Sequence, residues 1–315
     1  MTQQIRGMLS VAFGVSIFSL QDAIVKGLSD TYPVHEIVVL RSCVALPILV
    51  AVVLLLDARA LKIRRTGLHL LRGLALYLSY TAYYLGLARL PIAESVALYF
   101  TAPFFVASLS LPMLGERVSL RSWASIIVGF GGVLVVARPS TALFEPAVLL
   151  PIVSALAYAI SAVLTRRLGT TESGGALAIS ATLVYIVAGG ATALGLSGIE
   201  VAGDAHRSVR FLLMPWSWPG AADALLLAAC GLIAAGGFFF LAQGYRLAEA
   251  NRAAPFEYAA LPWGILWGYL FFANLPDVAT LVGAVVIIGA GLYTLQRQPE
   301  PPASTLRAAE PARPD

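Results

Sequence analysis

Histidine and cysteine are scarce in this chain: three histidines, His35, His69 and His206, and two cysteines, Cys43 and Cys230, among 315 residues. The cysteines lack CxxC spacing and lie in apolar runs, so they read as small buried hydrophobes, not as a redox pair or metal ligands. The histidines fall in loops or at helix ends, and neither HExxH nor GxSxG occurs. A membrane enzyme needs a nucleophile with its base, or clustered ligands, so the chain is not expected to be an enzyme, and no metal or cofactor is expected. Charge is in short supply too: 12% of the residues are charged, against about a quarter in soluble domains. With 59% hydrophobic residues and a mean hydropathy of +0.82, the solvent of this chain is lipid. The formal charge of +4 comes from basic residues in short loops, where they set topology, and no single basic face is available for nucleic acid. The first apolar stretch, from Ile5 to Leu28, has no small-residue cleavage site and reaches spanning length, so it reads as a retained helix and not a signal peptide.

Apolar segments of spanning length recur: Ile5 to Leu28, His35 to Leu56, Thr66 to Ala88, Ile92 to Leu114, Ser122 to Ala137, Pro146 to Leu168, Gly174 to Leu196, Ala221 to Ala248, Arg252 to Ala273 and Val278 to Leu295. Continuous runs satisfy their backbone only as helices, and they lack the alternation of a barrel strand. The predicted fold class is therefore an all-α membrane protein of ten transmembrane helices. With the N-terminus inside, 14 of the 21 Lys and Arg residues fall on the cytoplasmic side and five (Lys26, Arg89, Arg138, Arg207, Arg210) outside, while Arg41 and Arg72 lie within helices. Both termini are therefore expected to be cytoplasmic. The loop from Ser197 to Gly220, with Phe211, Trp216 and Trp218, suits the outer interface, and the Pro-, Ala- and charge-rich tail 297–315 reads as disordered.

Sliding the chain by 159 places lays Tyr84–Phe105 on Gln243–Gly264, with Pro103 on Pro262 and Tyr99 on Tyr258, and lays Gly132 on Gly291. Two copies of five helices give an odd number per copy, so the second enters the membrane from the opposite face. The expected organisation is two inverted repeats, 5–138 and 146–296, an arrangement suited to alternating access.

The chain resembles the EamA-type, ten-helix members of the drug/metabolite transporter superfamily. The resemblance rests on Asp22-Ala23-Ile24-Val25-Lys26, Arg41-Ser42, Arg72-Gly73, Leu90-Pro91 with Glu94, Pro103, Gly115-Glu116, Arg138-Pro139, Arg166-Arg167-Leu168 and Thr171-Glu172-Ser173, in that order. Where the second repeat of such proteins often has Gly-Glu again, this chain has Ala273-Asn274. The resemblance implies a multi-pass carrier of the bacterial inner membrane whose small-molecule substrate (amino-acid-like, a vitamin such as riboflavin, or like S-adenosylmethionine) passes between the repeats. Its Asp-Ala-x-x-Lys and Arg-Arg-Leu elements look like the uptake subgroup. Export of amino acids is the alternative within the class, and a non-transporting structural or regulatory subunit is the alternative outside it. The bilayer is the expected partner, a homodimer is left open, and nucleic acid is not expected.

Charge inside a membrane helix costs about 3 kcal/mol or more unless paired or hydrated, so such residues come first as candidates. Asp22 and Lys26 share a face of the first helix, and Arg41 enters the second from the same side; the three are expected to meet, as a structural pair or as a substrate or proton site. Arg72 and Glu257 lie at similar depth near the inner mouth and form a second expected pair, with Glu257 the acid chosen for proton coupling. Tyr80, Tyr99, Tyr258 and Trp263 are assigned to the substrate cavity, where rings with polar tips stack on a solute and hydrogen-bond it. Tyr77 and Tyr84 are assigned to packing. Pro103 and Pro262 are expected hinges, and Gly129, Gly132, Gly289 and Gly291 are expected to permit close helix contact.

Overall fold

The hydrophobic runs fold here as predicted, into helices. The structure, a computed structural model, describes residues 3–57, 63–114, 120–137, 145–169, 171–199, 201, 204–248 and 253–296. The expected tail from 297 onward lies outside the described residues, as do the side chains of Pro103, Tyr258 and Gly291. The helices are α1 (Gln3–Leu28), α2 (Val34–Asp57), α3 (Thr66–Leu87), α4 (Ile92–Tyr99), α5 (Ala102–Leu114), α6 (Leu120–Ala137), α7 (Leu149–Leu168), α8 (Gly174–Leu196), α9 (Arg207–Leu213), α10 (Ala221–Leu247), α11 (Ala260–Phe272) and α12 (Val278–Gln296). Tight 3-10 turns at Pro146–Val148 and Ala254–Ala259 lead into α7 and α11. Among the described residues there is no strand.

Among the described residues, six stretches are long and apolar enough to cross a membrane: Gln3–Leu28, Val34–Leu55, Ile92–Ser110, Pro146–Leu168, Gly174–Leu196 and Ala221–Leu247. Ile127–Val136, Ala260–Phe272 and Val278–Ala290 are shorter apolar helices. The helix α3 is absent from both groups although it has 22 residues, because it carries His69, Arg72 and four tyrosines. Its polar groups are turned inward: His69, Arg72, Ser79, Tyr80 and Tyr84 are all buried.

The fourth predicted helix is broken in two. After α4 the backbone tightens, with Thr101 N–H donating to Leu98 O (3.2 Å), and α5 restarts when Phe104 N–H donates to Thr101 O (3.0 Å). Pro103 has no N–H, so the Tyr99 carbonyl loses its usual partner four residues on. The ninth segment is interrupted at the place the repeat would carry this to, with the 3-10 turn ending at Ala259 and Pro262 two residues into α11. At the end of α11, Ala273 holds φ 53°, the left-handed region that glycine adopts without strain.

Packing follows a pattern of exchange. The helix α1 lies along α10, α3 along α7, α2 along α8 and α6 along α12, while α2 meets α10 and α3 meets α8. Glycines set the closest approaches. A Cβ on Gly86 would stand 2.8 Å from Pro151, and one on Gly244 would stand 2.4 Å from Val11. Likewise Gly73 is pressed on Val184 (2.7 Å) and Gly231 on Val44 (2.5 Å). Between α6 and α12, a Cβ on Gly132 would meet Gly283 O at 2.8 Å, and one on Gly283 would meet Gly132 O at 2.7 Å. Small residues let helices associate where lipid offers no hydrophobic drive. Gly129 shares this role against Phe104, but Gly289 does not: a Cβ there would meet nothing within 4 Å, and Gly283, earlier on the same helix, makes the contact instead.

Candidate functional site

A cavity of about 150 Å³ lies where α1, α2, α3, α4, α7, α8, α10 and the turn before α11 converge. It brings together four of the five charged residues singled out from the sequence. Asp22, Arg41, Arg72 and Glu257 all line it and all are buried.

Around Asp22 the second half of α3 supplies the partners. Tyr84 donates its hydroxyl to Asp22 Oδ1 (2.8 Å) and Tyr83 to Oδ2 (3.0 Å). The Tyr84 hydroxyl in turn accepts from Gln21 Nε2 (2.9 Å), and Gln21 Oε1 accepts from Arg41 Nη1 (3.2 Å). Arg41 is fully buried, its guanidinium 4.1 Å from the centre of the Tyr80 ring, with Tyr185 at 5.2 Å and Phe238 at 5.6 Å. Its Nε and Nη2, and the hydroxyl of Tyr80, have no hydrogen-bond partner.

The expected cluster of Asp22, Lys26 and Arg41 is thus opened out. Lys26, one turn beyond Asp22, points past it to the end of α3, where Nζ donates to Leu87 O and Leu90 O, both at 2.6 Å. Unpaired carbonyls at a helix C-terminus attract a cation. Arg41 reaches Asp22 only through Gln21 and Tyr84.

The second expected pair is separated as well. Arg72 donates from Nε to Thr165 Oγ1 (2.5 Å) and from Nη1 to Leu177 O (2.8 Å). Glu257 Oε1 accepts from the hydroxyls of Tyr158 (2.8 Å) and Tyr245. Tyr158 and Thr165 are two turns apart on α7, so this helix holds the arginine and the acid at different depths on one wall. Tyrosine rings run between the two acids: Tyr83 lies 5.4 Å from Tyr99, and Tyr99 lies 5.6 Å from Tyr158, centre to centre.

Tyr80 and Tyr99 line the cavity; Trp263 does not. It is 38% exposed and stacks on Trp267 (5.6 Å), and it is Trp267 that reaches inward, donating from Nε1 to Ser19 Oγ (3.1 Å). Pro262 is exposed on the same helix.

The residues near one end of the bundle are clasped. Arg89 Nε stands 3.0 Å from Glu145, His206 Nε2 donates to Glu145 Oε1 (3.0 Å), and Arg207 forks onto Asp30. Because the Ser208 N–H donates to His206 Nδ1 (3.3 Å), these two bonds require the neutral tautomer with its proton on Nε2. Burial on its own would lift the Glu145 pKa, but the His206 hydrogen bond, the Ala147 N–H and the Arg89 charge together hold it below the usual carboxyl value.

With this geometry in hand, comparison with known proteins is specific. Residues 5–138 match the model of the EamA-like transporter family. The riboflavin transporter of Rhizobium johnstonii is 30% identical over 230 residues, spanning 73% of this chain and 70% of that protein. The chain belongs to the EamA-like transporter family. The S-adenosylmethionine uptake transporter of Rickettsia prowazekii is 26% identical over 277 residues, 88% of either chain. The pseudopaline exporter CntI of Pseudomonas aeruginosa is 27% identical over 289 residues, 90% of this chain and 94% of that one. A solved crystal structure covering 98% of this chain and 99% of its own superposes with a TM-score of 0.64 at 16% identity, a likeness of fold alone.

As a transporter of the drug/metabolite type, the chain is a multi-pass membrane protein acting on a small molecule. Several residues of its cavity were not singled out by sequence reasoning: Gln21, Tyr83, Tyr158, Tyr185 and Tyr245. Tyr84, assigned to packing, instead holds Asp22 together with Tyr83. The available signal was the phenol itself, since a hydroxyl in the middle of an apolar helix must find a partner.

Proposed function

We propose that this transporter is an uptake carrier of the bacterial inner membrane that moves a small organic metabolite by alternating access, coupled to protons at Glu257. The observation that carries the reading is the buried cavity itself. Two acids and two arginines converge there, and each acid is held by tyrosine hydroxyls and not by a cation. Such groups stay in a membrane protein when they handle a charged solute or a proton. At about 150 Å³ the cavity is smaller than the roughly 300 to 1,000 Å³ of metabolite sites, so a solute of adenosyl or flavin size enters only when the halves move apart.

The mobile units are read as two inverted five-helix repeats, 5–138 and 146–296, with α4 and α5 counted as one span and the turn before α11 joined to it, giving ten spans. The contacts support this reading. One displacement carries Gly73 and Gly86 onto Gly231 and Gly244, another carries Val11 and Val44 onto Pro151 and Val184, and the packed pairs exchange accordingly. The paired interruptions near Pro103 and Pro262 give each half a place to bend. With 14 basic residues against five, both termini are assigned to the cytoplasm. A cytoplasm-dependent reporter fused after Gln296 is then active and one inserted near Gly203 is silent; the reverse pair overturns the orientation.

Uptake is favoured by Asp22-Ala23-Ile24-Val25-Lys26 and by the likeness to proteins named for uptake. Export is the second reading, supported by the equally extensive likeness to a pseudopaline exporter. Accumulation by right-side-out but not inverted vesicles under an inward proton gradient supports uptake, and the opposite supports export. Absence of flux for every solute in proteoliposomes containing only this chain removes the carrier reading and leaves a structural subunit.

A further inference from the structure

We propose that the free edge of the Arg41 guanidinium seats a carboxylate of the transported solute, so that the cavity selects an α-amino-acid-like zwitterion over a carboxylate-free metabolite. The inference rests on the carrier reading above and deepens it. Arg41 is fully buried and lines the cavity. Of its nitrogens, Nη1 is committed to Gln21, while Nε and Nη2 are unpartnered. Those two N–H groups lie on one side of the planar guanidinium, the edge on which a carboxylate makes two parallel hydrogen bonds. The rings of Tyr80, Tyr185 and Phe238 enclose the guanidinium, their centres 4.1, 5.2 and 5.6 Å from its central carbon, so the group is held in place before a solute arrives. The unpartnered Tyr80 hydroxyl is a further donor in the same cavity.

A buried guanidinium without an anion is costly, and no carboxylate of the cavity meets it. Asp22 is held by Tyr83 and Tyr84 and Glu257 by Tyr158 and Tyr245. The remaining cation, Arg72, is occupied by Thr165 and the Leu177 carbonyl. One open fork therefore suits a single negative charge. A phosphate dianion would bring a surplus charge beside two acids, whereas a zwitterion places its carboxylate on Arg41 and turns its cationic group toward Asp22 or Glu257. The tyrosine rings between the acids form the wall for the rest of the solute.

The test compares matched solutes on the full-length protein in lipid nanodiscs, by thermal shift and calorimetry. The pairs are S-adenosylmethionine with its decarboxylated form, L-arginine with agmatine and L-phenylalanine with phenethylamine, and riboflavin is the carboxylate-free reference. At least one carboxylate member is expected to bind at least 100-fold more tightly than its decarboxylated partner. Arg41→Gln is expected to reduce it to the partner's affinity without changing the partner, with Arg41→Lys between the two. The comparison on the unmutated protein stands even where Arg41→Gln fails to fold. Equal binding within every pair, binding indifferent to Arg41→Gln, or binding of riboflavin alone overturns the inference while leaving a carrier in place. A carboxylate solute that binds through Arg41 yet shows no counterflow in proteoliposomes sinks the carrier reading and keeps the carboxylate seat.

Discussion

Tyr84 and Asp22 sit on different helices, and the hydroxyl of the first, 2.8 Å from the carboxylate of the second, also accepts from Gln21 and so ties the acid to the chain of bonds that ends at Arg41. One oxygen atom carries both roles. Tyr84→Phe removes a donor to the acid and an acceptor for the amide at once, with no change of ring volume. The expected loss is about 2 to 3 kcal/mol of stability, read as a lowered unfolding midpoint in nanodiscs. Tyr77→Phe, which loses only a bond to Thr192 on a half-buried ring, is expected to cost about 1 kcal/mol. Equal midpoints for the two variants would remove Tyr84 from the polar scaffold.

Glu257 accepts two phenolic hydrogen bonds on a single oxygen and has no cation beside it among the described residues. Glu257→Gln fixes it in a neutral state resembling the protonated one. Exchange of labelled solute across proteoliposomes is expected to persist, and accumulation driven by a pH gradient to disappear. Gradient-driven accumulation at the normal level in this variant would move coupling to Asp22 or leave facilitated diffusion.

Two glycines of the last span of each half respond in opposite directions to the same methyl group. Gly132→Ala places a Cβ against the Gly283 carbonyl at 2.8 Å, and separating α6 from α12 is expected to cost about 1 to 3 kcal/mol. Gly289→Ala meets no atom within 4 Å and gains helix propensity, worth up to about 1 kcal/mol. The unfolding midpoint therefore falls for the first and holds or rises for the second. A drop of similar size in both would show that the α6–α12 seam is not where the structure places it.

The clasp at Glu145 depends on pH with a definite sign. Its carboxyl titrates below its ordinary value in the folded protein, so the stability it contributes is present above the unfolded pKa, near 4.3, and is lost as pH falls through the folded pKa. The groups facing it are Arg89, His206 and the Ala147 N–H. The midpoint difference between the native chain and Glu145→Gln is expected to be present at pH 7 and to shrink as the pH is taken down through the lowered titration of the Glu145 carboxyl. A difference that grows on acidification would mean that the carboxyl is held neutral instead.

The sequence by itself determined the lipid solvent, the helical class, most helix limits, and the four charges that line the cavity, though not the buried Glu36 and Glu172. These are local or additive properties: hydropathy sums along the chain, proline lacks an N–H wherever it stands, and a charge in an apolar run is costly whatever its neighbours. Tertiary structure decided who meets whom. Asp22, Lys26 and Arg41 were expected to converge because spacing places them on compatible faces, but partners from α3 intervene, and a neutral phenol competes well with a cation for a carboxylate when both must leave water. Trp263 and Trp267 are equivalent by spacing, and only the rotation of α11 against α1 turns one outward and the other to Ser19. Tyr158, Tyr185 and Tyr245 come from three different helices, and their convergence on one cavity with residues of the first three helices has no local signature, because it depends on which glycines let which helices approach.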